Sequence, residues 1–198
     1  VDLGPNISLI KSLGSLSTPL IYGGGVRNAE QARLTIEAGV ERICVDYLLH
    51  SDIGKIEEIS REIGAQAMIV ALPLRLHKKK LLWRNHVLGT ESELDASLSK
   101  VVQPKNVSEI LVIDWVNEGF RERFEPKLIE LMPKFDLPLI AFGGISEPKQ
   151  IDSILKQAEV AAVAVGNFLN YTEHAVQVIK EKLIVETLRD AQYSREGL

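Results

Sequence analysis

One cysteine in 198 residues, Cys44, leaves no partner for an internal disulfide, so the chain is not one of the small disulfide-stapled secreted folds. Cys44 sits in the apolar run Arg42-Ile43-Cys44-Val45 and reads as a small core residue in a reducing compartment; a cytoplasmic setting is expected. An excess of positive charge is also missing. The chain carries 23 Lys and Arg against 27 Asp and Glu, a net charge of −4, which gives no electrostatic case for a nucleic-acid partner. The run Lys78-Lys79-Lys80 is the local exception, and it reads as a solvated hairpin turn before it reads as a binding patch. No apolar stretch reaches the roughly 20 residues of a membrane span and no secretory signal is visible, so no membrane partner is expected. The histidines His50, His77, His86 and His174 fall at no metal-ligand spacing; neither a metal nor a cofactor is expected.

What the chain does have is a duplication. Pro19-Leu20-Ile21-Tyr22-Gly23-Gly24-Gly25-Val26 is echoed by Pro138-Leu139-Ile140-Ala141-Phe142-Gly143-Gly144-Ile145. Each copy is an apolar run closed by glycines, then a polar helical stretch (28–38 and 147–157), then a second buried strand (42–46 and 160–166). Between the copies the pattern predicts a helix over 52–63 ended by Gly64, a strand over 67–72, a hairpin over 76–87, a helix over 92–102, a strand over 110–114 and a helix over 126–132. Residues 1–3 read as a strand end and 5–16 as a helix. After the second copy, 174–188 reads as a closing amphipathic helix and the charged tail frays.

Strands alternating with helices, in a chain that is 45% hydrophobic, point to one α/β domain over residues 1–198 with a parallel sheet. Doubly wound sheets and (βα)₈ barrels both fit this alternation. Internal doubling favours the barrel, because the offset between the copies corresponds to about four βα units, half a barrel. A complete barrel runs to roughly 250 residues. The expectation is therefore a TIM-type barrel lacking its N-terminal part, with about six of eight units visible. The missing part would be the first strand, its helix and most of the second strand.

A glycine turn after a parallel strand exposes backbone N–H groups at a helix N-terminus, an arrangement that suits phosphate. Gly24 and Gly25 form one such turn. Gly143 and Gly144, with Gly166 and Asn167 after the last strand, form the other, and barrels frequently bind phosphate after strands seven and eight. Two opposed sites suit a substrate with a phosphate at each end. The plainer alternative, that the glycines only permit tight turns, stays open.

With these residues on the page, the chain resembles the histidine-biosynthesis barrel family, and most of all the cyclase subunit of imidazole glycerol phosphate synthase. The resemblance runs from the Pro-Leu-Ile-Tyr-Gly-Gly-Gly-Val motif through 34–45, Gly64 to Ala71, Glu109 to Val112, and Leu139 to Gly144. It implies a phosphorylated, ribulosyl bisphosphate substrate, ammonia from a glutaminase partner docked at the barrel bottom, and acid–base work by aspartates ending the first and fifth strands. The pattern is broken at the top. Pro73 stands where the fifth-strand aspartate is expected, and it has no ionisable group to relay a proton. Asp46-Tyr47 stands where the fourth strand has a phosphate-binding Asn-Thr, and an unpaired carboxylate there repels phosphate. Of the sixth-strand loop, Glu118 and Gly119 keep the family character, so Gly119 joins the candidate phosphate residues. The bottom is better preserved. Arg42 and Glu109 stand at two positions of the family's charged ammonia gate, and Glu41 at an acidic position facing the glutaminase. Ordinary surface charge at strand starts is the competing reading.

Asp114, ending the sixth strand, is the local candidate for a general acid or base, against a role as a cap or ion-pair partner. His50 either faces the site or is a plain loop residue. Trp83 either covers the barrel mouth or packs in the hairpin, and Asp2 is placed to face the top. Three functions remain in view. They are a cyclase-like enzyme or a paralogue of one with another acceptor, a non-catalytic scaffold or activator of a glutamine amidotransferase, and the sister barrel isomerase of the same pathway.

Overall fold

The computed structural model describes residues 4–14, 16–166, 169 and 174–184. Its spine is a parallel sheet of six strands, β1 (Ile21–Gly23), β2 (Arg42–Val45), β3 (Met68–His77), β6 (Glu109–Asp114), β7 (Leu139–Phe142) and β8 (Val160–Val163). They lie side by side in that order, each parallel to the next. Helices alternate with them: α1 (Ile7–Leu13), α2 (Ala29–Glu37), α3 (Tyr47–Ser51), α4 (Gly54–Ile63), α5 (Lys127–Glu130), α6 (Pro148–Leu155) and α7 (Ala175–Lys182). This is the curled sheet of a partial (βα)₈ barrel.

Local chemistry explains the helix starts. Asn6 and Asn28 cap α1 and α2, their side-chain oxygens accepting from Leu9 N at 3.1 Å and Gln31 N at 2.9 Å, the usual service of an N-cap to orphan amides. In α2 the Gln31 side chain reaches back to accept from Arg27 N at 2.8 Å. In α6 the corresponding Gln150 accepts from Ser146 N at 3.1 Å. The doubling seen in the sequence is thus repeated in the hydrogen bonds.

Two-sided burial explains the apolar strands. Ile43, Val45, Met68, Val70, Leu72, Ile110, Val112, Leu139 and Ala141 join the main core with helix residues such as Ala32, Ile56, Ile59, Leu128 and Ile154. The alternate residues face the concave side, where strand register sorts them into rows. Cys44, Ile69 and Glu109 are in register near the bottom, then Ala71, Leu111 and Ile140, then Pro73, Ile113 and Phe142 toward the C-terminal ends. Pro73 falls between the last β2 pair, Val45–Val70, and the first hairpin pair, Leu74–Trp83, an interval of unpaired edge in which a strand tolerates proline.

The region after β3 bears out the expected hairpin and corrects the helix read after it. β3 runs past the barrel and turns at Lys78 and Lys79, both at positive φ (48° and 64°), into antiparallel β4 (Lys80–Asn85). A third strand, β5 (Thr90–Glu93), pairs with β4 where the start of a helix over 92–102 was expected. Only a short 3₁₀ turn, Ala96–Lys100, remains of that helix. Cross-strand charge pairs draw 90–93 into the sheet: Arg75 holds Glu91 through three contacts of 2.5–2.9 Å, and Lys80 meets Glu93 at 2.6 Å. Lys80 is therefore a pairing residue of the hairpin. The expected helix at 126–132 is one turn, and α3 was not foreseen. Of the closing helix, α7 stands and 185–188 lie outside the described residues, as do 1–3.

The glycine turns hold the barrel-top loops against one another. Gly25 (φ 70°) lies so close to Gly4 that an added Cβ would come within 2.4 Å of the Gly4 carbonyl oxygen. Gly143 (φ 100°) abuts Asp114, with its oxygen 2.6 Å from such a Cβ. Gly143→Ala adds this clash to backbone strain and is expected to cost about 3 kcal/mol. Gly64→Ala, at φ 87° with nothing within 4 Å, meets strain alone and is expected to cost about 1 kcal/mol. Urea unfolding midpoints test this; equal shifts for the two variants would refute the packing role of Gly143.

Candidate functional site

The C-terminal strand ends gather the candidate residues. Gly24 and Gly25 follow β1; Gly143 and Gly144 follow β7. The two strands are separated by β2, β3 and β6, which places them half the circumference of an eight-stranded barrel apart. Both turns hold two glycines at positive φ; the second stands at 70° in each, while the first differs, 148° at Gly24 and 100° at Gly143. Gly144 O accepts from Arg123 N at 2.8 Å and from Gln150 Nε2 at 3.2 Å, tying the turn to the loop after β6. Gly119 lies in that loop at φ 86°. Gly166 packs against the Phe142 ring, 3.2 Å from a would-be Cβ. Lys149, Gln150 and Lys182 line an open cleft beside the second turn, together with Glu122, Glu147 and Pro148. Asn167 and Asp2 lie outside the described residues.

Asp114 is buried, at 1% exposure. Its Oδ2 accepts from Asn117 Nδ2 at 2.8 Å and from Glu125 N at 2.9 Å, and its Oδ1 from Asn117 N at 3.3 Å. These bonds fasten both ends of the loop between β6 and α5. Burial pushes the carboxyl above its ordinary value, partly offset by the same bonds.

A cluster that the sequence did not group lies at the end of β2. Asp46 Oδ2 is 2.9 Å from His86 Nδ1, contributed by the turn between β4 and β5. Asp46 Oδ1 is 3.5 Å from His50 Nε2, one turn along α3. These two atoms are buried with no hydrogen-bond partner. The His50 ring stacks on Trp83 at 4.0 Å, so Trp83 packs the hairpin against α3 and His50 faces the cluster. The other His50 ring nitrogen bonds the Arg84 backbone. Burial raises the Asp46 carboxyl, with His86 opposing; burial, then the charge of His86, lowers His50. Burial, with Asp46 second, pushes the Cys44 thiol up to about 12. The carboxylate expected to repel phosphate is therefore paired. Sequence spacing offered one signal, Asp46 and His50 at i and i+4. His86 arrives only through the hairpin register. Among the described residues, no group of three His, Cys, Asp or Glu is arranged to hold a metal ion.

At the opposite end, Arg42 Nη1 meets Glu109 Oε2 in an ion pair joining β2 and β6 across β3. Glu41 is exposed beside it. A pair this open is worth no more than about 1 kcal/mol to stability, so folding alone gives little reason for it. No helix among the described residues is long and apolar enough to cross a membrane.

Parallel strands with glycine turns at their C-terminal ends, doubled half a barrel apart, define a protein of the (βα)₈-barrel class. The chain belongs to the histidine biosynthesis protein family, whose family model matches residues 4–175. It is similar to imidazole glycerol phosphate synthase subunit HisF of Metallosphaera sedula, 30% identical over 181 residues, covering 89% of this chain and 69% of that protein. The subunit of the same name from a Hydrogenobaculum species is 25% identical over 173 residues, covering 85% and 68%. That of Clostridium botulinum is 25% identical over 177 residues, covering 87% and 70%.

The His50 environment sets a pH dependence. An unfolded chain protonates His50 below about 6.5, whereas the folded chain, with its pKa lowered, resists. The unfolded state then binds more protons, so stability falls as pH drops through that value. His50→Phe keeps a ring on Trp83 and removes the titration. Urea melts from pH 8 to 5 should show a shallower loss of stability in the variant; parallel curves would rule out a buried neutral His50.

Proposed function

We propose that this chain is a cyclase-type barrel that binds a phosphorylated, sugar-like substrate between its two glycine turns and uses ammonia from a glutaminase. The observation that carries the reading is the doubled turn, each with its second glycine at φ 70° and the two half a barrel apart. In a family whose relatives are named imidazole glycerol phosphate synthase subunits, it suits a ligand with a phosphate at each end. Gly24, Gly25, Gly143 and Gly144 would approach the two phosphates, with Gly119, Gly166 and Asn167 beside the second. Asp114 serves as a positioning residue, since the loop occupies its oxygens. The relatives' names also say "subunit", which supports a partner.

At the barrel bottom, Arg42 and Glu109 would gate ammonia, with Glu41 toward the glutaminase. Ammonia reaching the mouth attacks as a neutral nucleophile, so a path that keeps it from water preserves its reactive form. If the chain is catalytic, the reaction belongs to the lyase and cyclase type. One observation favours a second reading. The upper concave row is Pro73, Ile113 and Phe142, apolar where the family places an acid, as in a scaffold that activates a glutaminase without turning over substrate, or a paralogue with another acceptor.

Calorimetric titration tests the phosphate site. A ribulosyl bisphosphate is expected to bind at least about 100-fold more tightly than inorganic phosphate, because the second phosphate binds intramolecularly; equal affinities would refute a two-turn site. The gate has its own test in the complex with glutaminase. Glu109→Ala should lower glutamine-driven turnover about tenfold while turnover with ammonium chloride is unchanged. Equal loss with both nitrogen sources would exclude a gating role.

A further inference from the structure

We infer that Asp46 and His86 form an acid–base pair at the barrel mouth, taking over the proton transfer that Pro73 cannot perform. The inference rests on the reading of this mouth as the substrate site. Placement is the first argument. Asp46 directly follows β2, two residues beyond Cys44, whose register partner Ile69 lies on the concave face. It therefore stands at the C-terminal rim, where barrel chemistry is sited. β2 pairs directly with β3, the strand that carries Pro73.

Geometry is the second argument. Asp46 Oδ2 and His86 Nδ1 are 2.9 Å apart, so one hydrogen lies on that line. A carboxylate holding Nδ1–H leaves Nε2, on the far side of the ring, as a bare base, which is the logic of a base oriented by an acid. The His86 side chain is half exposed, at 51%, whereas that of His50 is 8% exposed. His86 is thus the imidazole able to meet a ligand. His50 is held away from a ligand. Clamped between the Trp83 ring and the Arg84 backbone, it closes the other side of the carboxylate, its Nε2 3.5 Å from Oδ1 with no hydrogen bond between them.

The groups around Asp46 are Cys44 from β2, His50 from α3 and His86 from the hairpin. The thiol stays neutral, so the pair is not opposed by a second anion from that side. Asp114, another carboxyl at this rim, is taken up by Asn117 and Glu125.

The step is a proton transfer. The Nε2 lone pair takes a proton from a C–H or N–H of the bound substrate, and the electron pair of that bond stays on the substrate. The imidazolium so formed is stabilised by Asp46, and the same Nε2–H returns the proton to a departing oxygen. Nothing is oxidised or reduced.

His86→Asn separates this role from a structural one, because an asparagine can still donate to Asp46 from near the Nδ1 position but has no Nε2. With the ribulosyl bisphosphate and ammonium chloride, His86→Asn should lower kcat at least about 100-fold. KM should stay within about threefold, and added imidazole should restore part of the rate. A variant within threefold of wild type in kcat would overturn the pair. A second measurement needs no substrate: nitrogen-15 NMR of the His86 ring should find Nδ1–H and a bare Nε2, with this preference lost in Asp46→Asn. An Nε2–H tautomer in the wild type would equally overturn it. If wild type binds but does not turn over the bisphosphate, the substrate reading fails by itself, while the tautomer still decides whether the pair exists.

Discussion

The pairing of β3 with β6 is the constraint on which the rest of the structure depends. Six consecutive residues of each strand are in parallel register, Ile69–Glu109 through Leu74–Asp114. That register fixes both ends of the barrel at once. It holds Glu109 at the bottom within reach of Arg42, and it sets Asp114 at the top where the next loop must fasten. Because side chains alternate across a strand, slipping the register by one residue would exchange every core residue for a concave one. Leu72, Val112 and Ala141 would leave the helices, and Pro73, Ile113 and Phe142 would meet them. The interface with the helices is dense, and its burial makes such a slip costly.

Much of this frame was legible in the sequence, and the reason is physical. A strand covered on both faces must be apolar throughout, and Ala67 to Leu72 announces itself in that way. The glycine turns were legible because each requires a backbone region that side chains avoid, at φ 70° in both Gly25 and Gly144. The sequence displayed the glycines; only the structure shows why they are needed. Each turn is pressed against a neighbouring segment of backbone, Gly4 and Pro5 in one half and Asn117 to Phe124 in the other. The glycine repeat is therefore a packing motif as well as a candidate anion site, and its presence alone does not distinguish the two.

The hairpin after β3 was legible, but its third strand was not, and neither was the cluster that depends on it. Residues 90–93, Thr-Glu-Ser-Glu, carry no alternation of apolar and polar side chains to mark a strand. They pair because Arg75 and Lys80 supply opposite charges at the right cross-strand positions, a tertiary effect that outweighs local propensity. Asp46 and His86 are 40 positions apart in sequence, and no periodicity connects them. Their meeting depends on the hairpin's length, set by the two-residue turn at Lys78 and Lys79. That turn holds two non-glycine residues at positive φ, a conformation usually left to Asn-Gly.

This dependence bears on how such a barrel diverges. β3 is the strand on which the family's acid would stand, and here it presents an apolar row instead. The same strand, carried beyond the barrel, sends back over the end of β2 the histidine that pairs with Asp46. The loss and the gain are therefore products of one continuous element. A substitution at Pro73 alone would not restore the family arrangement, because Asp46 would remain between two histidines beside it, and two acids would then share one rim. Nor would removing the hairpin leave a simpler site. Asp46 would be returned to the state its sequence position suggested, an unpaired carboxylate at the mouth of a barrel whose glycine turns suit anions. On the proposed reading the hairpin makes a half-buried acid compatible with a phosphorylated ligand, and its register is as much a part of that site as the residues it delivers.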